Sequence, residues 1–192
     1  MIRHLFVTAL IVSGIYIGLL FAIDHPFVAS AEVSKVHIAA DVADNQKIPK
    51  STTDKFDSAI RIYGLQKSVD FNRADVEVTK AWTEFLANKS LQNNVNWDKG
   101  HILVYVYFYD FNADMSRGRL AIGYDGGDLL LSTDAASIDL PRGSHKVFSY
   151  NSAIGSAGDK AWEAAYQAKN LIERHKLDDN GEIISSDVII VE

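Results

Sequence analysis

One tripeptide occurs twice in this chain, and it constrains the fold more than any other feature. Lys-Ala-Trp ends at Trp82 and again at Trp162, 80 residues later (162 − 82 = 80). Each copy follows a stretch with the composition of a β-strand and precedes another, so the two halves resemble each other. Two similar strand-helix-strand units usually close around a shared cleft. The repeat therefore favours a ligand-binding domain over an unrelated enzyme.

Composition and missing motifs narrow the function. The 192 residues include no cysteine, which excludes disulfides, thiolate zinc sites and a cysteine nucleophile. The formal net charge of −6 argues against a nucleic-acid partner. The six histidines form no metal-binding pattern, and no nucleophile elbow, phosphate-binding loop or dinucleotide fingerprint occurs. We therefore expect no metal and no cofactor, and we expect binding of a small molecule before catalysis.

The N-terminus predicts a compartment. Residues 5–23 run without a charge, and as a helix they would span about 28 Å, close to the thickness of a bilayer core. Arg3 before this run and Asp24 after it favour a cytoplasmic N-terminus. Residues 29–31, Ala-Ser-Ala, also fit a signal-cleavage site. Residues 1–31 are thus a membrane anchor or a cleaved signal. Both readings place the remaining chain on the periplasmic side, tethered or released.

The rest of the chain divides into a linker over residues 32–55 and a domain over residues 56–192. We predict an α+β fold, a pseudo-twofold tandem of strand-helix-strand-strand modules with an antiparallel sheet and two main helices around a cleft. The helices are expected near residues 76–88 and 159–175. The strands are expected at residues 59–69, 102–109, 118–124, 144–150 and 183–191. The acidic glycine clusters at 125–128 and 178–181 are interpreted as turns rather than metal loops, since they lack the ligand spacing of a calcium loop.

The strand at residues 102–109 carries three tyrosines on one face. Alternation places Tyr105, Tyr107 and Tyr109 on the face opposite the aliphatic residues of the same strand. Aromatic rings with polar tips commonly line small-molecule clefts, so these tyrosines are candidate ligand-binding residues. Alternatively, the tyrosines bind no ligand and lie on a solvent-exposed face at the edge of the sheet, where tyrosine occurs because it favours β-strands. Trp82 and Trp162 are either walls of the cleft or core residues that support it.

Several segments resemble the GyrI-like small-molecule-binding family. Residues 140–148 read Leu-Pro-Arg-Gly-Ser-His-Lys-Val-Phe, and a glycine-containing loop and Trp162 follow them. In the first half, Ala-Trp-Thr-Glu-Phe at 81–85, Phe-Tyr-Asp-Phe at 108–111 and Leu-Ala-Ile-Gly at 120–123 are similar to other parts of the family pattern. This is the fold of effector-binding domains in AraC-type and multidrug-type transcription activators, and of integron cassette proteins.

The resemblance implies the two-module architecture and a ligand cleft between the modules. It also implies binding of hydrophobic cations by aromatic walls and a buried carboxylate from the C-terminal stretch. Glu182 is the nearest candidate for that carboxylate. No DNA-binding helix-turn-helix is evident, so the resemblance implies a stand-alone effector-binding domain. Some members of the family hydrolyse strained electrophiles. The alternative function is therefore a hydrolase of a small electrophile, with Glu182 or Glu84 as general base.

Overall fold

An eight-stranded antiparallel sheet dominates the computed structural model, which describes residues 51–131, 133–151, 168 and 170–191. The strands are β1 (Ser51–Phe56), β2 (Arg61–Asp70), β3 (Ile102–Tyr109), β4 (Arg117–Asp125), β5 (Ala136–Asp139), β6 (Gly143–Asn151), β7 (Leu171–Leu177) and β8 (Ile183–Ile190). The helices are α1 (Ala74–Leu86) and the single turn α2 (Lys89–Gln92). The predicted α+β class is confirmed, and most of the regular structure is β-sheet.

Local sequence explains why α1 forms where it does. The Asp70 carboxylate accepts a hydrogen bond from the Asn72 backbone N–H at 3.0 Å and starts a short 3₁₀ turn that leads into the helix. Asp75 and Glu77 then lie in the first helical turn, where negative charge is favourable. The buried side chains fall at helical spacing on one side: Ala74, Val78, Ala81, Trp82 and Phe85. The first predicted helix is therefore confirmed, two residues earlier than expected.

The sheet is strongly curled, as its connections require. The strand order is β1-β6-β8-β7-β3-β4-β2-β5, so β1 and β2 lie six positions apart. In a flat sheet that separation would be roughly 29 Å, given a strand spacing of about 4.8 Å. The link from Phe56 to Arg61 reaches only about 18 Å. The ends of the sheet must therefore approach each other, and the Leu140 backbone N–H donates to the Ile60 carbonyl at 2.8 Å across the two linking loops.

Two hydrophobic clusters lie on the two faces of the sheet. The first, called here the helix side, joins α1 to residues of β2, β3, β4, β6, β7 and β8. The second, called the concave side, contains Phe56 of β1 and Ile62 of β2, which belong to strands far apart in the sheet order. Their shared cluster identifies this face as the inner face of the curl. Arg174 of β7 reaches across β8 and β6 on this side to the Asp54 carboxylate of β1, at 3.0 Å.

Four of the predicted strands are confirmed within two residues at each end, and the strand at 102–109 has the predicted bounds. The second predicted helix, over 159–175, is wrong from Leu171 onward, since Leu171–Leu177 is β7. Of residues 159–170, only 168 and 170 are described, and neither is helical; the others, with Trp162, lie outside the described residues. Within the described part of the chain, α1 is the one long helix, so the two-helix prediction stays a prediction.

The N-terminal predictions fall mostly outside the described residues. β1 covers Ser51–Phe56 and pairs with β6, so the predicted linker over 32–55 overlaps a strand of the sheet at its end. No helix in the described ranges is long and apolar enough to cross a membrane. The apolar run at 5–23 lies outside those ranges.

Candidate functional site

The three predicted tyrosines lie on the concave side of the sheet. Tyr105 and Tyr107 are buried there, at 1% and 7% exposure, and Tyr109 is partly exposed beside them. The rings of Tyr107 and Tyr109 stack with centroids 4.6 Å apart and planes 14° apart. Burial raises the pKa of Tyr105 to about 12, and it also raises the pKa of Tyr107 and of Tyr109. All three hydroxyls therefore stay protonated at neutral pH.

Polar partners hold the outer end of this tyrosine row. The Tyr109 hydroxyl donates to the Gln66 side-chain oxygen at 3.3 Å, and the Tyr107 hydroxyl lies 3.5 Å from the Asn170 side-chain oxygen. The Arg119 guanidinium lies 5.4 Å from the centroid of the Tyr109 ring, within the range of a cation–π contact. Tyr105 and Tyr107 are therefore packed inside the domain, and Tyr109 is the one of the three that solvent reaches.

Trp82 lies on the other face, where α1 covers the sheet. It is 3% exposed and belongs to the helix-side cluster. Its ring contacts Phe85 edge-on, at 5.8 Å between centroids, and lies 6.0 Å from the His175 ring. Because His175 is on β7, Trp82 reaches the middle of the sheet, where β7 and β3 pair. The structure therefore separates Trp82 from the three tyrosines by the thickness of the sheet.

A buried polar cluster surrounds this position. Glu173, His175 and Ser186 are 3%, 7% and 5% exposed, and strand alternation directs them to the helix side. The His175 Nδ1 lies 2.9 Å from the Ser186 Oγ, and the His175 Nε2 lies 3.7 Å from the Glu173 Oε2. His175 and Ser186 are therefore hydrogen-bonded. His175 and Glu173 form an ion pair when the imidazole is protonated. We call Trp82, Glu173, His175 and Ser186 the central cluster.

Two polar atoms of α1 stand out beside the central cluster. The Trp82 Nε1 and the Thr79 Oγ1 are buried, and within the described part of the chain neither has a hydrogen-bond partner. Thr79 precedes Trp82 by three positions, so both side chains emerge from the same side of α1. A buried N–H without an acceptor is costly, and native proteins contain few of them. The central cluster thus combines an aromatic wall, a buried carboxylate and an unused donor.

The predicted acid, Glu182, is not part of this arrangement. Glu182 is exposed in the hairpin that joins β7 to β8, and its backbone N–H is held by the Asp178 carboxylate at 2.8 Å. Glu173 is the buried carboxylate of the C-terminal stretch, and sequence reasoning missed it. The sequence gives little signal for it, because the run Leu-Ile-Glu-Arg-His-Lys-Leu at 171–177 has four consecutive polar residues and no apolar-polar alternation. Glu84, the other predicted base, pairs with Lys67 at 2.9 Å on the surface.

The two acidic glycine clusters behave as turns, as predicted. Gly126–Asp128 forms a 3₁₀ turn, and the Asp128 carboxylate accepts hydrogen bonds from Lys99 Nζ at 2.5 Å and from the Leu103 backbone N–H at 2.8 Å. The Asp178 carboxylate accepts from the backbone N–H groups of Asn180 and Glu182. Among the described residues, no three His, Asp or Glu side chains are grouped to hold a metal ion.

Comparison with known proteins gives structural matches only. No family model matches the chain, and no curated protein matches it. The fold is similar to an integron cassette protein from the mobile metagenome of Vibrio cholerae, with 11% identity and a TM-score of 0.52 over 73% of this chain and 94% of that chain. It is also similar to SAV2435 bound to tetraphenylphosphonium, with 16% identity and a TM-score of 0.50 over 73% of this chain and 92% of that chain.

A third match points to the same fold. It is a Staphylococcus aureus MU50 protein described as a transcription regulation protein, with 15% identity and a TM-score of 0.50 over 74% of this chain and 97% of that chain. At such identities these matches show a shared fold alone. They are consistent with the GyrI-like fold that the sequence predicts.

Proposed function

We propose that this domain binds a small, largely apolar cation on the helix side of the sheet, at the central cluster. The observation that carries the proposal is the Glu173 carboxylate, which is 3% exposed and lies beneath the aromatic face of α1. A carboxylate in such surroundings is stabilised by positive charge nearby, because removing its own charge from water is expensive. In such surroundings its attraction to a cation is much stronger than in water.

Aromatic surface next to the carboxylate supports the same ligand class. The Trp82 indole adjoins the His175 ring, and His175 in turn lies beside Glu173. A cation over an indole face contributes about 0.5–2 kcal/mol. Trp162, expected on the second helix, is proposed as the opposite wall. The concave-side tyrosines lie on the opposite face of the sheet. We propose that they do not contact the ligand and that they support the site by packing beneath the sheet.

The structural matches support the proposal at the level of fold. One of them was solved with tetraphenylphosphonium, a large apolar cation. We infer on this basis, together with the sequence resemblance, that the chain is a GyrI-like effector-binding domain. The strand order supports a pseudo-twofold: β2-β4-β3 at one end of the sheet has the same antiparallel pairing as β6-β8-β7 at the other. In this proposal the predicted second helix, in its part before Ala168, repeats α1, and Trp162 corresponds to Trp82.

A charge-removing substitution with a matched control tests the proposal. Titration calorimetry measures tetraphenylphosphonium and neutral triphenylphosphine oxide against the full chain, Glu173→Gln and Glu182→Gln. We expect Glu173→Gln to weaken the phosphonium at least tenfold and to leave the neutral ligand nearly unchanged. Glu182→Gln should leave both unchanged, because Glu182 is exposed and outside the central cluster. Equal loss in both variants, or no phosphonium binding by the unaltered chain, would refute the proposal.

The hydrolase alternative is distinguished by turnover. Its proposed bases, Glu84 and Glu182, both lie on the surface, and Glu84 pairs with Lys67. Under the binding proposal, an electrophilic substrate such as a small epoxide is not consumed beyond its spontaneous rate. Steady product release that Glu84→Gln or Glu182→Gln abolishes would establish the hydrolase instead.

We also propose an extracytoplasmic location, with the N-terminal segment as anchor or cleaved signal. The uncharged run at 5–23 supports this location. Protease added to spheroplasts should then digest the domain while the inner membrane is intact. The mass of the mature chain separates the two forms, because cleavage after Ala31 gives a chain that starts at Glu32. Protection of the domain in intact spheroplasts would refute the proposed location.

A further inference from the structure

The indole N–H of Trp82 is the buried polar group that the cation-binding proposal does not use. Trp82 is 3% exposed, and its Nε1 has no hydrogen-bond partner within the described part of the chain. Indole N–H is a donor only, so a carbonyl, ether, hydroxyl or other acceptor is required to satisfy it. Leaving such a donor unpaired costs about 1–3 kcal/mol of stability. An apolar cation without an acceptor, such as tetraphenylphosphonium, would leave it unpaired.

The position of this donor relates it to the ligand-binding groups. The Trp82 ring lies 6.0 Å from the His175 ring, and His175 Nε2 lies 3.7 Å from the Glu173 carboxylate. The His175 Nδ1 and the Ser186 Oγ bond each other at 2.9 Å. The Thr79 hydroxyl, three positions before Trp82 on α1, is likewise buried without a partner. Two unsatisfied hydrogen-bonding groups thus lie on the side of α1 that bounds the central cluster.

We propose that the ligand of this domain carries a hydrogen-bond acceptor a few ångströms from its positive charge, and that the Trp82 indole N–H binds this acceptor. The inference rests on the proposed function and specifies its ligand class: an apolar cation with a carbonyl or ether oxygen. Glu173 selects the charge, and Trp82 selects the oxygen. The Thr79 hydroxyl, which can donate or accept, supplies a second contact to the same part of the ligand.

A matched ligand pair isolates this contact. Pentyltriphenylphosphonium and its 4-oxopentyl analogue share the cation and the chain length and differ by one ketone oxygen. Calorimetry with the unaltered full chain should show the ketone binding about three- to tenfold more tightly, the worth of one buried hydrogen bond. In Trp82→Phe, which keeps an aromatic ring and loses the N–H, the preference for the ketone over the pentyl compound should disappear, whatever the change in affinity for the cation that the two compounds share.

A second readout covers the case in which Trp82→Phe folds poorly. The chain has three tryptophans, so ¹⁵N-tryptophan labelling gives three indole N–H signals. Trp97→Phe and Trp162→Phe identify the Trp82 signal by elimination. The ketone should move that signal further downfield than the pentyl compound does, because only the ketone accepts a hydrogen bond from the indole N–H.

The outcomes separate this inference from the proposed function. If both phosphonium compounds bind with equal affinity and move the Trp82 signal alike, the donor contact is wrong and cation binding stands. If the ketone preference survives in Trp82→Phe, another donor holds the oxygen. If neither compound binds the unaltered chain, the proposed function fails, and the ligand class inferred here fails with it.

Discussion

The indole of Trp82 and the imidazole of His175 lie 6.0 Å apart, although α1 carries the first and β7 the second. α1 follows β2 and packs on β2 and β4, so this contact extends the helix across β3 to the half of the sheet built from the C-terminal strands. Trp82 thereby joins the two halves of the domain at the position of the buried carboxylate.

Truncating Trp82 should therefore destabilise the domain strongly. Trp82→Ala removes a buried indole from the helix-side cluster and should lower the free energy of unfolding by about 3–5 kcal/mol. Urea unfolding, followed by circular dichroism, measures this. Val76→Ala on the exposed side of the same helix is the control and should change stability by less than about 0.5 kcal/mol. Similar effects of the two substitutions would contradict the assigned position of Trp82.

The close approach of β2 and β4 depends on paired glycines. Gly64 and Gly123 are register partners, and a Cβ added at Gly64 would overlap the Ile122 carbonyl oxygen and lie 2.8 Å from the Gly123 Cα. Backbone atoms in the middle of a sheet cannot move aside as a flexible side chain can. Gly64→Ala should thus cost at least about 2 kcal/mol of unfolding free energy. Gly127→Ala should cost less, since its Cβ meets only the end of the Asp125 side chain, at 3.3 Å.

The Asp128 carboxylate anchors the start of β3. It accepts from the Leu103 backbone N–H at 2.8 Å and from Lys99 Nζ at 2.5 Å, and the residue is 5% exposed. Asp128→Ala leaves the Leu103 N–H unpaired and should lower unfolding free energy by about 2–3 kcal/mol. Asp128→Asn keeps an acceptor oxygen and should cost about 1 kcal/mol. Thermal unfolding of the two variants checks this order, and a milder alanine variant would refute it.

The part of the fold that sequence predicts is the part with apolar periodicity. In β3 the alternation separates Val104 and Val106 from Tyr105 and Tyr107, and the structure has the same two faces. The edge strands β1 and β5 were not predicted. Most of their side chains are polar or exposed, so their sequences lack the alternation of apolar and polar residues that indicates a strand. Pairing with β6 and β2, rather than local preference, makes them strands.

The site was harder to predict for a related reason. β7 buries Glu173 and His175 on the helix side, between Leu171 and Leu177. Because Glu173 and His175 are polar although buried, the apolar alternation that would indicate a strand is absent from this segment. The segment was therefore predicted as the end of a helix. Glu182, beyond the expected helix, is the nearest candidate in the sequence for the carboxylate that the family resemblance implies. Sequence also grouped Trp82 with the tyrosines, because periodicity assigns faces within one strand and does not say which face a distant helix covers.

The tyrosines of the concave side predict how stability depends on alkaline pH. Burial raises the pKa of Tyr105 to about 12, against an ordinary value near 10. Below pH 10 the phenol is protonated in both the folded and the unfolded chain, and its contribution to stability is fully present. Between pH 10 and 12 the unfolded chain releases the proton while the folded chain retains it. Stability must therefore fall as pH rises through this window.

Urea unfolding at intervals from pH 8 to pH 12 measures this fall. Tyr105→Phe removes the ionisable group, so its unfolding free energy should decline less steeply above pH 10, by up to about 1.4 kcal/mol per pH unit. Tyr109→Phe is the matched comparison and should change the slope less, since Tyr109 is partly exposed while Tyr105 is buried. If the slope of Tyr105→Phe equals that of the unaltered chain, the hydroxyl of Tyr105 ionises alike in the folded and unfolded states, and its place inside the curl of the sheet is wrong.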